Sequence, residues 1–178
     1  DELEDVKRRV DEIVRELERL NEKLRRDVEE IVKRLKELNK RLLEEVRRTA
    51  EELKTKNVDR DRAKEELDEV RRKLKEVFDR AKRVHDEVRK RLEELKRRSK
   101  EVLDRVREDL KRLEREIPET EELREILKEL KRVLDESRKL SKEIEEELER
   151  VLRDSERATE EILRELEKII EEVERKVR

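Results

Sequence analysis

Glycine, cysteine, methionine, tryptophan, tyrosine and glutamine are all missing from this 178-residue chain, and proline, histidine and phenylalanine occur once each. Each absence removes a class of protein. Without cysteine there is no disulfide framework and no thiolate metal site, and redox compartment leaves no mark on the sequence. Without glycine there is no P-loop or dinucleotide loop, because both need backbone that approaches phosphate closely. Apolar runs never exceed two residues, which excludes a membrane-spanning segment or a signal-peptide core. One phenylalanine, Phe78, cannot form a stacking platform for bases, and Arg71-Arg72-Lys73 and Lys96-Arg97-Arg98 sit among Glu and Asp. Neither nucleic acid nor a membrane surface is an expected partner.

Charge is what the chain has in excess. Lys and Arg number 54 against 56 Asp and Glu, so 62% of residues are charged while the net charge is only −2. High charge with few apolar residues also marks disorder, so periodicity has to decide. From Ala63 the apolar positions run Leu67, Val70, Leu74, Val77, Ala81, Val84, Val88, Leu92, Leu95, then Ser99 and on through Val102, Val106, Leu110 and Leu113 to Ile117. The mean step is about 3.6 residues, the period of a straight α-helix. Val10 to Val46 and Leu123 to Val177 keep the same step. A strict heptad would supercoil to the left and an eleven-residue repeat to the right, so nearly straight helices are expected.

The period has an 18-residue unit. VDEIVRELERLNEKLRRD at 10–27 returns as VEEIVKRLKELNKRLLEE at 28–45, carrying Asn21 onto Asn39. The second segment restarts at Ala63, Ala81 and Ser99, and the third aligns Ile126, Ile144 and Ile162 as well as Leu130, Leu148 and Leu166. Eighteen residues make about five helical turns, so every repeat returns to the same face. These are repeats within long helices, unlike the helix-turn-helix units of a solenoid.

Two breaks divide the chain. Around Lys54-Thr55-Lys56-Asn57-Val58-Asp59 the pattern lapses; Asn57 suits a turn, and Asp59 or Asp61 can cap the next helix. At Ile117-Pro118-Glu119-Thr120 proline ends the helix and Thr120 is placed to cap its successor. Helices are expected over about 1–56, 60–117 and 120–178, with Asp1-Glu2 and Arg175-Lys176-Val177-Arg178 matching the helix dipole. Each would be on the order of 85 Å long. Short connections make neighbours antiparallel, so the expectation is an all-α, single-domain, up-down-up antiparallel three-helix bundle. Apolar arcs of roughly 120° suit a closed bundle, and leave open a groove for a fourth helix. Residues 57–117 carry 22 basic and 18 acidic groups, and 118–178 carry 15 and 21, which favours pairing the second helix with the third.

Thirteen residues are neither charged nor apolar. Thr55, Asn57, Pro118 and Thr120 sit at the breaks, while Asn21, Asn39, Thr49, His85, Ser99, Ser137, Ser141, Ser155 and Thr159 fall on the apolar arcs. A buried polar group without a partner costs about 1–3 kcal/mol, so these residues should satisfy one another. Antiparallel register brings Asn21, Ser99, Ser137 and Ser141 to one height, and Asn39, His85, Ser155 and Thr159 to another. Two buried hydrogen-bond networks are therefore expected, fixing register and partner choice because a slipped helix would set them against Leu and Val. The plainer alternative for the Ser and Thr members is a bond back to their own helix carbonyls. Thr49 fits neither layer and should bond locally.

Catalysis finds little support. His85, the one imidazole, has no cysteine and no Glu-x-x-His spacing to complete a metal site, so no metal or cofactor is expected. A Ser155–His85 dyad is geometrically conceivable, but helix interiors supply neither a free N–H pair for an oxyanion nor a cleft. Burial should keep His85 neutral near pH 7, leaving a weak sensitivity to acid.

Near-identical repeats, a surface of Glu, Asp, Lys and Arg, a core of Leu, Ile and Val, and regular buried Asn, Ser, Thr and His positions together resemble de novo designed helical bundles with buried hydrogen-bond networks. The resemblance covers the whole chain, and a start without Met suits a trimmed one. Spectrin-like rods are the nearest natural likeness, but they carry core Trp and irregular repeats. The resemblance implies no enzymatic activity, no native location and a role as a rigid monomeric scaffold. The alternative it leaves is a component of a designed hetero-oligomer or homo-oligomer, or a switch cage with a helical partner. One departure stands out: such loops usually contain Gly, Asp or Pro, and the first connection has neither Gly nor Pro.

Overall fold

The computed structural model describes residues 2–55 and 60–177. Three helices account for nearly all of them: α1 (Glu2–Thr55), α2 (Arg60–Glu116) and α3 (Glu121–Val177). Leu, Glu, Lys and Arg are strong helix formers, and with no glycine the segments have no weak interior point. Acidic residues open α1 (Glu2, Glu4, Asp5) and α3 (Glu121, Glu122), and Arg175 and Lys176 close α3, in line with the dipole. Asn57 and Asp59, assigned to the first turn, lie outside the described residues, as do Asp1 and Arg178.

The second connection follows its sequence closely. Ile117 N donates to Leu113 O at 3.2 Å, after which Pro118 has no N–H to continue the ladder. Thr120 is the N-cap of α3: its Oγ1 accepts from Leu123 N at 3.4 Å, and its carbonyl accepts from Arg124 N at 3.0 Å. Thr55 behaves differently from a turn residue. It is the last residue of α1, and its Oγ1 donates to Glu51 O at 2.8 Å.

The chain divides into two compact units, Asp1–Glu30 with Arg91–Glu149 and Ile31–Lys90 with Arg150–Arg178. Each holds a section of all three helices. In the first unit, Arg9 pairs with Glu116, Glu16 with Arg105 and Asp27 with Arg91, so α1 and α2 run antiparallel. Lys96–Glu149 and Lys131–Glu114 set α3 antiparallel to α2. Its core includes Leu17, Leu24, Val106, Leu113, Leu130 and Leu148. In the second unit, Arg71–Glu174 and Arg89–Glu156 place α3 antiparallel to α2, and Arg34–Glu87 joins α1 to α2. Its core clusters Leu42, Val46, Leu67, Leu74, Ala81, Ile162, Leu166 and Ile170. The net charges favoured α2 with α3, yet α2 makes ion pairs with both neighbours. Local sign patterns override net charge, because exposed pairs act over a few ångströms and are screened beyond about 10 Å.

Burial returns with the repeat: Leu17 and Leu35 are buried, as are Leu130, Leu148 and Leu166. The arc flanks, such as Val10, Val14, Val28 and Val32, are only half-buried. Leu42 and Leu43 separate core from surface within one residue step, at 2% and 41% exposed. Leu42→Ala should therefore cost about 2–5 kcal/mol, and Leu43→Ala should stay within about 0.5 kcal/mol. Urea unfolding of the two variants measures the difference; equal losses would mean that α1 faces the core differently.

Candidate functional site

The second unit brings one predicted polar set together. His85 of α2 is 6% exposed, and its Nε2 lies 2.8 Å from Ser155 Oγ of α3. Ser155 Oγ in turn donates to Asn39 Oδ1 of α1 at 3.4 Å, a long bond. A hydroxyl has one proton; with that proton on the Asn39 side, His85 Nε2–H is the donor to Ser155. Thr159 does not join the side-chain chain. Its Oγ1 donates to Ser155 O at 2.9 Å, the back-bond to its own helix. Thr49 behaves the same way, donating to Glu45 O at 2.9 Å.

The first unit departs from expectation. Ser99, Ser137 and Ser141 are buried and Asn21 half-buried, yet Asn21 Oδ1 and Ser99 Oγ have no hydrogen-bond partner in the protein. The expected Asn21/Ser99/Ser137/Ser141 network is thus corrected: Ser99 does not link α1 to α3. Reach is the physical reason. His85 carries its Nε2 to the far edge of an imidazole, whereas the Ser99 hydroxyl is bonded directly to Cβ. A surface cleft of about 140 Å³ between α1 and α2 has Ser99 in its wall, with Leu20, Leu24 and Leu95 beside it and charged residues such as Asp27 and Arg91 around them. Glu145 lies one helical turn after Ser141 along α3. Burial pushes the Glu145 carboxyl above its usual value, opposed by Lys96 and by the Ser141 hydroxyl. Lys96 bonds to Glu149 on the same flank, which raises its own pKa. Glu145 was not singled out in the sequence, although its spacing four residues after Ser141 was a legible signal.

Electrostatics at His85 are set first by burial, which lowers its pKa; Glu156 and Asp86 act against that, and Arg89 with it. The serine–histidine distance is dyad-like, and both side chains are enclosed in the core. Both residues lie within α-helices whose backbone N–H groups are committed to the helix, and Ser155 is 3% exposed. Among the described residues no group of three or more His, Asp or Glu is placed to hold a metal ion. No helix there is long and apolar enough to cross a membrane.

No family model matches the chain, and no curated protein does. Among solved structures, one described as a computationally designed three helix bundle is similar, with a TM-score of 0.53 at 13% identity. The similarity covers 98% of this chain and 89% of that one. At that identity it speaks to the fold alone, and the fold is a three-helix bundle.

Two expectations follow from the local chemistry. His85 has a depressed pKa when folded, so its contribution is present above the unfolded value near 6.5 and is lost as pH falls below it. Glu145, raised by burial, acts in the opposite direction. Unfolding by urea between about pH 7.5 and 5 should show a stability gap between the parent and His85→Leu that widens in favour of the variant on acidification. A gap independent of pH would remove His85 as its source. Secondly, Ser99→Ala should raise stability by up to about 1 kcal/mol by removing a partnerless hydroxyl, while Ser155→Ala should lower it by about 1–3 kcal/mol. The same denaturation curves decide this; losses of equal size would mean that Ser99 is satisfied.

Proposed function

We propose that this protein is a designed structural scaffold, a self-contained three-helix bundle without natural biochemical activity. One observation carries the reading. Within an apolar core built on an 18-residue repeat, His85 of α2 and Asn39 of α1 converge on Ser155 of α3. Leu occupies the slot of His85 one repeat before and after it, at Leu67 and Leu103. A polar residue at one of three equivalent slots adds little to stability and much to register, since displacement by one repeat sets it against Leu. The similar solved structure, a computationally designed three helix bundle, is in keeping with this origin. The alternative is a component of a designed hetero-oligomer or homo-oligomer, or a switch cage. It calls for an apolar stripe left open for a partner, and among the described residues Leu43 is the large apolar side chain that stands exposed.

Light scattering behind a sizing column tests the reading. A 22.1 kDa mass that does not change over a wide concentration range is expected. A larger mass would replace the self-contained bundle with the oligomer component.

A further inference from the structure

Beyond the buried layer, the α1–α2 ion pairs carry a second register signal at the surface. Arg34 pairs with Glu87, and moving one repeat along both helices leads to Glu16 paired with Arg105. The sign is inverted: α1 supplies the cation in one pair and the anion in the other. The apolar pattern repeats every 18 residues and so tolerates displacement by one repeat, but this charge pattern does not. One displacement sets Arg34 against Arg105, Glu52 against Glu87 and Asp27 against Glu116. The opposite displacement sets Glu16 against Glu87 and Arg9 against Arg98, offset in part by Arg34 meeting Glu69. Each of these follows from the observed Arg34–Glu87, Glu16–Arg105 and Arg9–Glu116 pairs.

The α2–α3 interface differs. Arg71–Glu174 and Arg89–Glu156 are also one repeat apart, but they keep their sign, so displacement exchanges one attraction for another. That contact has Pro118 in its connection to hold register, whereas residues 56–59 between α1 and α2 contain neither Gly nor Pro. Inside one chain, a displaced helix leaves 18 residues without neighbours, and lost burial alone disfavours it. Between copies, a further copy can cover the overhang, and only polar and charge matching then distinguish displaced from native pairing.

We propose that the sign inversion between Arg34–Glu87 and Glu16–Arg105 selects against staggered association of α1 with α2 of a second copy of this chain. The inference goes beyond the scaffold reading and does not depend on the buried layer. The test exchanges the charges of a pair without losing it. Arg34→Glu with Glu87→Arg keeps the native attraction, net charge and composition, yet turns the first displacement's contacts with Arg105 and Glu52 into attractions. Arg71→Glu with Glu174→Arg is the control, because it makes the displaced contacts with Arg89 and Glu156 repulsive. Association constants come from sedimentation equilibrium at low salt. Relative to the parent, the first variant should associate at least about tenfold more strongly, given two displaced pairs changed in sign, with the excess lost near 1 M salt. The control should associate no more than the parent. An unchanged first variant, or a control that associates as strongly, overturns the proposal. Self-association of the parent itself would instead count against the self-contained scaffold, and the ratio between variant and parent still decides the charge question.

Discussion

Eighteen residues of α-helix make five turns, and this match between sequence repeat and helical geometry governs the molecule. It lets an apolar position recur on one face along helices of more than 50 residues. Leu130, Leu148 and Leu166 are buried one repeat apart for that reason. The ion pairs inherit the same spacing, with Arg71–Glu174 and Arg89–Glu156 as its clearest instance.

The match also creates a difficulty. A core that repeats every 18 residues cannot tell one repeat from the next, and burial, the largest stabilising term, is nearly silent about register. Discrimination falls to groups that break the repeat. Each is individually small: an exposed ion pair contributes about 0–1 kcal/mol and a net hydrogen bond about 0.5–1.5 kcal/mol. Their leverage comes from asymmetry, since a displaced polar group loses its partner and is buried against Leu at full desolvation cost. His85 between Leu67 and Leu103 is such a group, while the inverted Arg34–Glu87 and Glu16–Arg105 pairs break the repeat at the surface, where displacement brings like charges together.

The two polar sets show how narrow the margin is between a linked layer and an isolated group. One repeat apart in the sequence, they share Asn in α1 and differ little in α3, where Ser137 and Ser141 correspond to Ser155 and Thr159. They differ in α2, where one has an imidazole and the other a hydroxymethyl. The imidazole reaches Ser155, whereas the Ser99 hydroxyl has no partner in the protein. Height along the helix is therefore necessary for a polar layer and not sufficient for one.

Helix identity, the apolar faces, the Pro118–Thr120 stop and cap, and the common height of Asn39, His85 and Ser155 were all legible from the chain. They depend on periodicity and on chemistry within a turn or two of each residue. Tertiary structure alone decided the rest. Thr159 chose its own helix carbonyl, α2 took ion-pair partners from both neighbours, and Asn21 and Ser99 failed to meet. Those outcomes turn on side-chain length, rotamer and the competing group across the interface. A one-dimensional repeat records which face a residue occupies, but the distance its side chain must span is set only when three helices pack.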